Sequence, residues 1–212
     1  MPLCTPEAAR EYVAGKSVAV VCNAPEILDM DYGHEIDEFD LVLRMNRAFP
    51  TKENASAIGY RTDILTGGLI HPLKDVPIIP WIFWFKHTKL GSQHLRDIVT
   101  NSRLRHISVL HSPPEWFNSL WKQFGKGPSS GPCAIETLRH LNAGKIHVFG
   151  LTCWGKLERF VPEHPSRLTH WWDYPDEFKA LGNTTWHDHT NEAIWWGLNT
   201  DQLDTMHYEV RR

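Results

Sequence analysis

The run HDHTNE, residues 187–192, concentrates side chains that can move protons or bind metal ions. His187 and His189 flank an aspartate, and Glu192 follows His187 five positions later. A histidine with an ordinary pKa suits the role of general base at neutral pH. Glu192 is then available to fix the tautomer of that imidazole or to cap a helix. The run leaves three alternatives open: a base with its carboxylate, a metal site, or a polar loop.

Two patterns in the chain have the residue types of a metal site, but neither is favoured. His187 and His189 are separated by one residue, which suits a loop or a strand rather than one face of a helix, and a third ligand is needed. The sequence DMD places Asp29 and Asp31 where they could bind Mg²⁺ on a nucleotide diphosphate. That pair lies in a turn crowded with other charges. We therefore predict no metal site and no separate cofactor.

A turn of small residues, GPSSGP at 127–132, has the character of an anion site. It precedes a helical pattern, so free backbone N–H groups and the positive end of the helix dipole face whatever lies there. The turn lacks the Gly-Lys-Ser/Thr ending of a Walker loop and is no GxGxxG. An ordinary helix start is the alternative.

Short apolar runs predict the strands that would carry these groups. They lie at 17–22, 39–46, 61–68, 81–85, 106–111 and 145–152. The GPSSGP turn, a helix beginning near Pro132 and the last of these runs form a crossover unit of the α/β kind. We expect a Rossmann-like, twisted, mostly parallel sheet flanked by helices, with a ligand across the carboxyl ends of strands 17–22, 39–46 and 146–151.

The end of the chain predicts two further features. Residues 154–186 are rich in proline, tryptophan and charge and have poor periodicity, which indicates an active-site loop or lid. TNEAIWWGLNTDQL, residues 190–203, predicts a closing helix with Thr190 as its cap. We find no repeat and no linker, so residues 1–212 are predicted to form a single domain.

The composition is that of an ordinary globular protein. The chain has 212 residues, 42% hydrophobic and 22% charged, with a net charge of −3. That balance is no footprint of a duplex-binding protein. The 4 cysteines are too scattered for a disulfide scaffold or a CxxC zinc site. No leader pattern or membrane span is evident, and we expect a cytoplasmic location. The 10 tryptophans indicate core packing or a stacking platform for a sugar or base.

Several stretches resemble, in order, the motifs of the CMP-sialic-acid-dependent sialyltransferases, glycosyltransferase family 29. SVAVVCNAPEILDMDYGHEIDEFDLVLRMNRAFP with the later GYRTDI resembles the long sialyl motif. GPSSGPCAIETLRHLNAGKIHVFGLT is similar to the short sialyl motif. HWWD at 170–173 resembles the third motif, and HDHTNE resembles the last. The resemblance extends over residues 17–192 and implies a variant of the GT-A type of fold seen in this family.

The resemblance implies which residues bind a CMP-sugar donor. Two asparagines match those that contact the donor phosphate and ribose, a turn matches the backbone that holds the donor, and a strand end matches the neighbourhood of cytosine and ribose. In that order these are Asn23 and Asn46; Ser129, Ser130 and Gly131; and Gly150 and Thr152.

The resemblance also implies the catalytic groups. His187 matches the general base, with Glu192 as its support, and His170 matches a histidine on the leaving CMP phosphate. The implied function is inverting transfer of sialic acid or a related acidic sugar to an acceptor hydroxyl, on a glycan or another molecule, without a metal. Of the three alternatives for HDHTNE, the resemblance favours the base.

Departures from the family pattern bear on origin and location. Secretory members join the two sialyl motifs by a disulfide, and the matching positions are Val18 and Ala143 here. Cys22 stands where the family has a glycine. We expect the protein to lack the usual anchor, the stem and much of the acceptor region. We therefore expect a small bacterial or viral form in a reducing compartment.

Two other functions are carried as alternatives. A viral enzyme on the same scaffold would glycosylate a hydroxylated base in DNA from another nucleotide sugar, using aromatic side chains to stack a flipped base. Its basic face would comprise Lys86, Lys89, Arg96, Arg103 and Arg105. The other alternative is a nucleotide-sugar-binding module that has lost catalysis. That alternative predicts loss of His170 and His187, and both are present.

Overall fold

The computed structural model describes residues 3–46, 48–67, 79–85, 106–151, 188–202 and 207–211. Within these ranges the strands are β1 (Leu3–Cys4), β2 (Ser17–Val21), β3 (Leu41–Met45), β4 (Ile64–Gly67), β5 (Trp81–Trp84), β6 (Ser108–His111), β7 (Lys145–Phe149), β8 (Thr200–Gln202) and β9 (His207–Val210). They form a 9-stranded sheet in the order β1-β6-β5-β4-β3-β2-β7-β9-β8. The pairings from β1 to β7 are parallel, and those of β9 with β7 and β8 are antiparallel. The predicted α/β class and mostly parallel sheet are confirmed.

Helices connect and cover these strands. The described α-helices are α1 (Pro6–Val13), α2 (Gly33–Glu38), α3 (Ala55–Ile58), α4 (Asn118–Phe124), α5 (Ser130–His140) and α6 (His189–Asn199). Short 3₁₀ helices cover Pro25–Asp29 and Pro114–Phe117. The predicted unit of turn, helix and strand is present as α5 followed by β7.

The central strand β2 is buried on both faces, which explains its nearly unbroken apolar sequence. Val18 and Val20 pack in a cluster with residues of α5, including Leu138. Ala19 and Val21 point the other way, into a second cluster that contains Ile36 of α2. Because alternate residues serve opposite faces, every position of the strand must be apolar or small.

The prediction for the closing helix was wrong at both ends. Asp188, not Thr190, is the N-cap, and its Oδ1 accepts a hydrogen bond from the Asn191 N–H at 2.9 Å. An aspartate caps a helix better than a threonine, and here the cap lies two residues earlier than predicted. Residues 200–202 leave the helix because Thr200 pairs with Val210 in the sheet. That partner comes from a separate strand, so the helical pattern gave no sign of it.

The buried side chain of Arg44, in β3, binds the backbone at the end of α3 and just after it. Arg44 is 0% exposed, and its Nη2 donates to the carbonyl oxygens of Ile58, at 2.6 Å, and Gly59, at 3.2 Å. Its Nε donates to the carbonyl oxygen of Arg61 at 2.8 Å. These bonds attach the α3 turn to β3. Part of the long-motif pattern is therefore a structural network rather than a ligand site.

Candidate functional site

The carboxyl ends of the central strands meet at one edge of the sheet and bring sequence-distant residues together. Asn23 lies just beyond β2, Asn46 just beyond β3, and Gly150 just beyond β7. The chain leaves β2 towards β3 and later returns to β7 on the opposite side of β2. That reversal opens a crevice at the strand ends, the usual ligand position in such sheets.

Asn23 is the most informative polar group at this edge. It is 7% exposed, and its Oδ1 has no hydrogen-bond partner among the residues that the structure describes. A buried amide oxygen left without a donor is costly, so it calls for a ligand or water. Its neighbour Cys22 belongs to the same buried core cluster as Cys133 of α5.

Gly150 joins the end of β7 to the turn after β2. Its carbonyl oxygen accepts a hydrogen bond from the Ala24 N–H at 3.0 Å. Its φ is +69°, and a Cβ there would lie 2.8 Å from Cδ1 of Ile27 and 3.2 Å from the Cys22 carbonyl oxygen. Only glycine fits this position without strain. The glycine therefore has a packing role, whether or not it contacts a ligand.

Asn46 adopts a left-handed conformation with φ of +57°, which asparagine tolerates better than most residues. Its N–H donates to the Thr66 carbonyl oxygen at 2.9 Å. Its Oδ1 lies against Gly67, whose missing side chain leaves the room for it. The conformation turns the chain at the end of β3 and holds Asn46 beside the end of β4.

The GPSSGP turn starts α5, as predicted. Ser129 is the N-cap but makes no side-chain capping bond, and Ser130 and Gly131 are the first two helical residues. Their N–H groups have no acceptor within the helix. Pro132 lies in the first turn, where its missing N–H costs nothing. Because α5 leads directly back into the parallel strand β7, it starts at the carboxyl edge, beside the crevice.

Glu192 is bonded to this turn, a contact that the sequence did not predict. Its Oε1 accepts a hydrogen bond from the Ser129 N–H at 2.6 Å, and the residue is 0% exposed. The sequence placed Glu192 beside His187 or as a cap of its own helix. The described contact instead joins α6 to the start of a different helix, where a carboxylate is favoured by the helix dipole.

Trp196, one of the tryptophans for which the sequence left core packing and ligand stacking open, contacts the same turn. A Cβ on Gly131 would lie 2.9 Å from Cζ2 of its ring, and the tryptophan is 1% exposed. Glu192 and Trp196 are four residues apart and so share a face of α6. The spacing of these two residues in the sequence indicates that both could contact one neighbouring element. It does not indicate which element that is.

Three predicted site residues, Thr152, His170 and His187, lie outside the described residues, as do the predicted lid at 154–186 and the basic residues between 86 and 105. Asp29 and Asp31 are described and lie exposed at the surface. Within the described ranges, no group of His, Cys, Asp and Glu is arranged as a metal site.

A buried histidine pair lies one strand away from the crevice. Nδ1 of His147 and Nε2 of His207 share a hydrogen bond of 2.6 Å. Burial, the charge of Lys145 and the proximity of His207 lower the pKa of His147 to about 4, against a smaller opposing effect of Glu209. The His147 imidazole is therefore neutral near pH 7, which a buried position between β7 and β9 requires.

No helix in the described parts of the chain has the length and apolar character to cross a membrane.

Comparisons with known proteins agree with this geometry. The sequence model of glycosyltransferase family 29 (sialyltransferase) matches residues 5–68. CMP-N-acetylneuraminate-beta-galactosamide-alpha-2,3-sialyltransferase 1 of Pan troglodytes is 24% identical over 202 residues, covering 86% of this chain and 55% of that protein. The chain thus spans about half the length of this curated relative.

Solved structures show the same fold. A crystal structure of a mammalian sialyltransferase has a TM-score of 0.62 at 16% identity, covering 91% of this chain and 74% of the other. A mammalian sialyltransferase in complex with Gal-beta-1-3GalNAc-ortho-nitrophenol has a TM-score of 0.60 at 16% identity, covering 89% and 67%. Over residues 5–68 this chain is therefore similar to glycosyltransferase family 29 (sialyltransferase), and over most of its length it shares the fold of the solved sialyltransferases.

Proposed function

We propose that this protein transfers a sugar from a CMP-activated donor to an acceptor hydroxyl. The observation that carries the proposal is Asn23, whose nearly buried amide oxygen has no partner in the described part of the chain and lies at the strand reversal. The family match supports a nucleotide-sugar ligand for that crevice. The name of the matched relative gives CMP-N-acetylneuraminate as that protein's donor, which favours the CMP-sugar here.

The start of α5 would hold the donor phosphate. The N–H groups of Ser130 and Gly131 have no acceptor within the helix, and the dipole of the 11-residue helix favours an anion at that end. Asn23 would bind the nucleotide from the opposite side, where β2 ends. Asn46, Gly150 and Thr152 complete the donor contacts that the family resemblance implies.

The reaction would be an in-line displacement that inverts the anomeric carbon. The acceptor oxygen forms a bond to that carbon as its bond to the phosphate oxygen breaks, and CMP leaves with the electron pair. His187 takes the acceptor proton, and His170 with the α5 start stabilises charge on the leaving phosphate. Because CMP is already a good leaving group, the mechanism has no step that needs a divalent cation.

The character of the α5 start favours an acidic sugar. Sialic acid carries a carboxylate beside the anomeric carbon, and the hydroxyls of Ser129 and Ser130 together with the helix dipole can receive it without an arginine. A neutral sugar would leave these half-buried hydroxyls to bond water instead. We therefore propose sialic acid or a close relative.

A thermal-shift panel of CMP, UMP, UDP and GDP, followed by their sugars, tests the donor. We expect CMP to raise the melting temperature more than UDP, in EDTA as well as in Mg²⁺, because ligand that binds only the folded state stabilises it. The carboxylate-bearing CMP-sugar should then exceed CMP alone. An Asn23→Ala variant, compared with the surface variant Glu115→Ala, should lose most of this stabilisation.

Other outcomes would point elsewhere. UDP binding that needs Mg²⁺ or Mn²⁺ would overturn both the donor and the metal-free mechanism. Affinity for DNA that falls steeply with salt would favour the base-glycosylating alternative. Donor hydrolysis that His170→Ala abolishes would contradict the alternative of a module without catalysis.

A further inference from the structure

One face of α6 contacts the start of α5 at two points. Glu192 accepts the Ser129 N–H at 2.6 Å, and the ring of Trp196 fills the space above Gly131. The two side chains are 0% and 1% exposed. Since they are one turn apart, together they fix the α5 start against α6 in both position and direction.

The amino end of α6 is itself fixed. Asp188 accepts two hydrogen bonds from Asn191, at 2.9 Å from the backbone N–H and at 3.1 Å from the side-chain amide. The Glu192 N–H donates to the Asp188 carbonyl oxygen at 2.9 Å. Glu192 therefore projects from a well-capped first turn rather than from a frayed helix end, so its carboxylate can hold the turn at a set distance.

We propose that Glu192 is a positioning residue for the donor phosphate, which it serves by holding the Ser129 N–H so that the next two N–H groups face the crevice. The inference rests on the proposed function. It adds to the role that the family resemblance implies, because the described hydrogen bond of Glu192 is to the donor-binding turn.

The charge of Glu192 and the hydrogen bond that it accepts have opposite effects on donor binding. The Glu192 carboxylate places negative charge beside a site that takes an anion, so the charge itself opposes donor binding. What Glu192 contributes to binding must then be geometry, through the hydrogen bond it accepts. A glutamine can accept the same bond without the charge, whereas an alanine cannot.

Calorimetric titration of CMP separates these contributions. We expect Glu192→Ala to weaken CMP binding about 10-fold to 100-fold, the equivalent of one lost charge-assisted hydrogen bond. Glu192→Gln should bind CMP as well as the unsubstituted protein or up to several-fold tighter. Glu136→Gln is the matched control, since Glu136 is a carboxylate within α5 that pairs with Arg139 of the same helix, away from the helix start. It should leave CMP binding unchanged.

A second pair of variants tests the donor side of the same bond. Ser129 has a φ of −72°, which proline adopts, and its side chain makes no capping bond. Ser129→Pro removes the N–H that Glu192 holds, while Ser129→Ala keeps it. We expect Ser129→Pro to weaken CMP binding at least about 10-fold relative to Ser129→Ala. This comparison tests whether the Ser129 N–H is needed for CMP binding even if Glu192→Ala fails to fold.

The pH profile of kcat/KM distinguishes this proposal from a role for Glu192 in supporting the base. If Glu192 supported the base, its substitution would shift the apparent pKa of the profile. Under our proposal Glu192→Gln keeps the acidic limb of the profile where it is. A shift of that limb with unchanged CMP affinity would overturn the proposal in favour of support for the base. Equal CMP binding by Glu192→Ala, or by Ser129→Pro and Ser129→Ala, would also overturn it. If the unsubstituted protein binds no CMP at all, the proposed function fails first and this inference fails with it.

Discussion

The indole ring of Trp196 lies directly over the Cα of Gly131, where a Cβ would come within 2.9 Å of Cζ2. The contact joins the last described helix to the turn that starts α5. It explains a glycine that the sequence alone assigned to ligand binding. Packing and ligand binding can both require glycine at this position. A turn that packs against Trp196 on one side can still present its N–H groups on the other.

We expect Gly131→Ala to destabilise the protein by about 1–3 kcal/mol, since the added methyl group overpacks a buried contact. Displacement of the α5 start should weaken CMP binding as well. Gly197→Ala is the control, because it lies on the same helix as Trp196 with no described atom within 4 Å of its Cβ position. That substitution should stabilise the helix by roughly 0.5–1 kcal/mol. Urea unfolding and CMP titration measure both effects, and equal stabilities would refute the contact.

Gly150→Ala should destabilise the protein through two separate effects. The φ of +69° strains any residue with a Cβ, and that Cβ would also meet Ile27 at 2.8 Å. We expect a loss of about 2–4 kcal/mol in urea unfolding. Gly15→Ala isolates the first effect, because Gly15 has a similar φ of +75° and no described atom near its Cβ position. It should cost only about 1 kcal/mol. Similar losses for the two variants would show that the Ile27 contact yields easily.

Acid should weaken the fold through His147. Its pKa is lowered to about 4 in the folded protein, whereas in the unfolded chain it is about 6.5. Below about pH 6.5 the unfolded chain therefore binds the extra proton, and the free energy of unfolding falls by about 1–3 kcal/mol as the pH approaches 4. His147→Gln keeps a hydrogen-bonding group opposite His207 but does not titrate, so its stability should fall less steeply.

Thermal melts between about pH 7 and pH 4.5 measure this dependence. The exposed residue His106 offers the control substitution His106→Gln, which should follow the unsubstituted protein. Parallel curves for His147→Gln and the unsubstituted protein would assign the acid sensitivity to other groups.

His187→Ala should reduce turnover by about 10²–10⁴-fold and leave CMP affinity nearly unchanged, as expected for loss of a general base. Single-turnover kinetics and CMP calorimetry provide the two measurements. If CMP binding were lost as completely as turnover, His187 would be a ligand of the donor rather than the base.

Sequence and structure agree most closely where the determinants are local. The apolar runs predicted β2, β3 and β7, because strands buried on both faces must be apolar at nearly every position. The small residues of GPSSGP predicted the start of α5. Asn23, Asn46 and Gly150 could be predicted to gather at one edge, since parallel strands end together.

Contacts between distant segments were decided only by the tertiary structure. The sequence could not show that Glu192 reaches Ser129, 63 positions away, or that Trp196 rests on Gly131. Nor could it show that Thr200 leaves a helical pattern to pair with Val210. A local sequence sets the tendency of a segment to form a helix or strand, but the partner of a buried carboxylate or of a strand edge depends on which surfaces pack together. The sequence by itself therefore determined the sheet and the resemblance to glycosyltransferase family 29, and packing decided that the Glu192 carboxylate bonds to the start of α5.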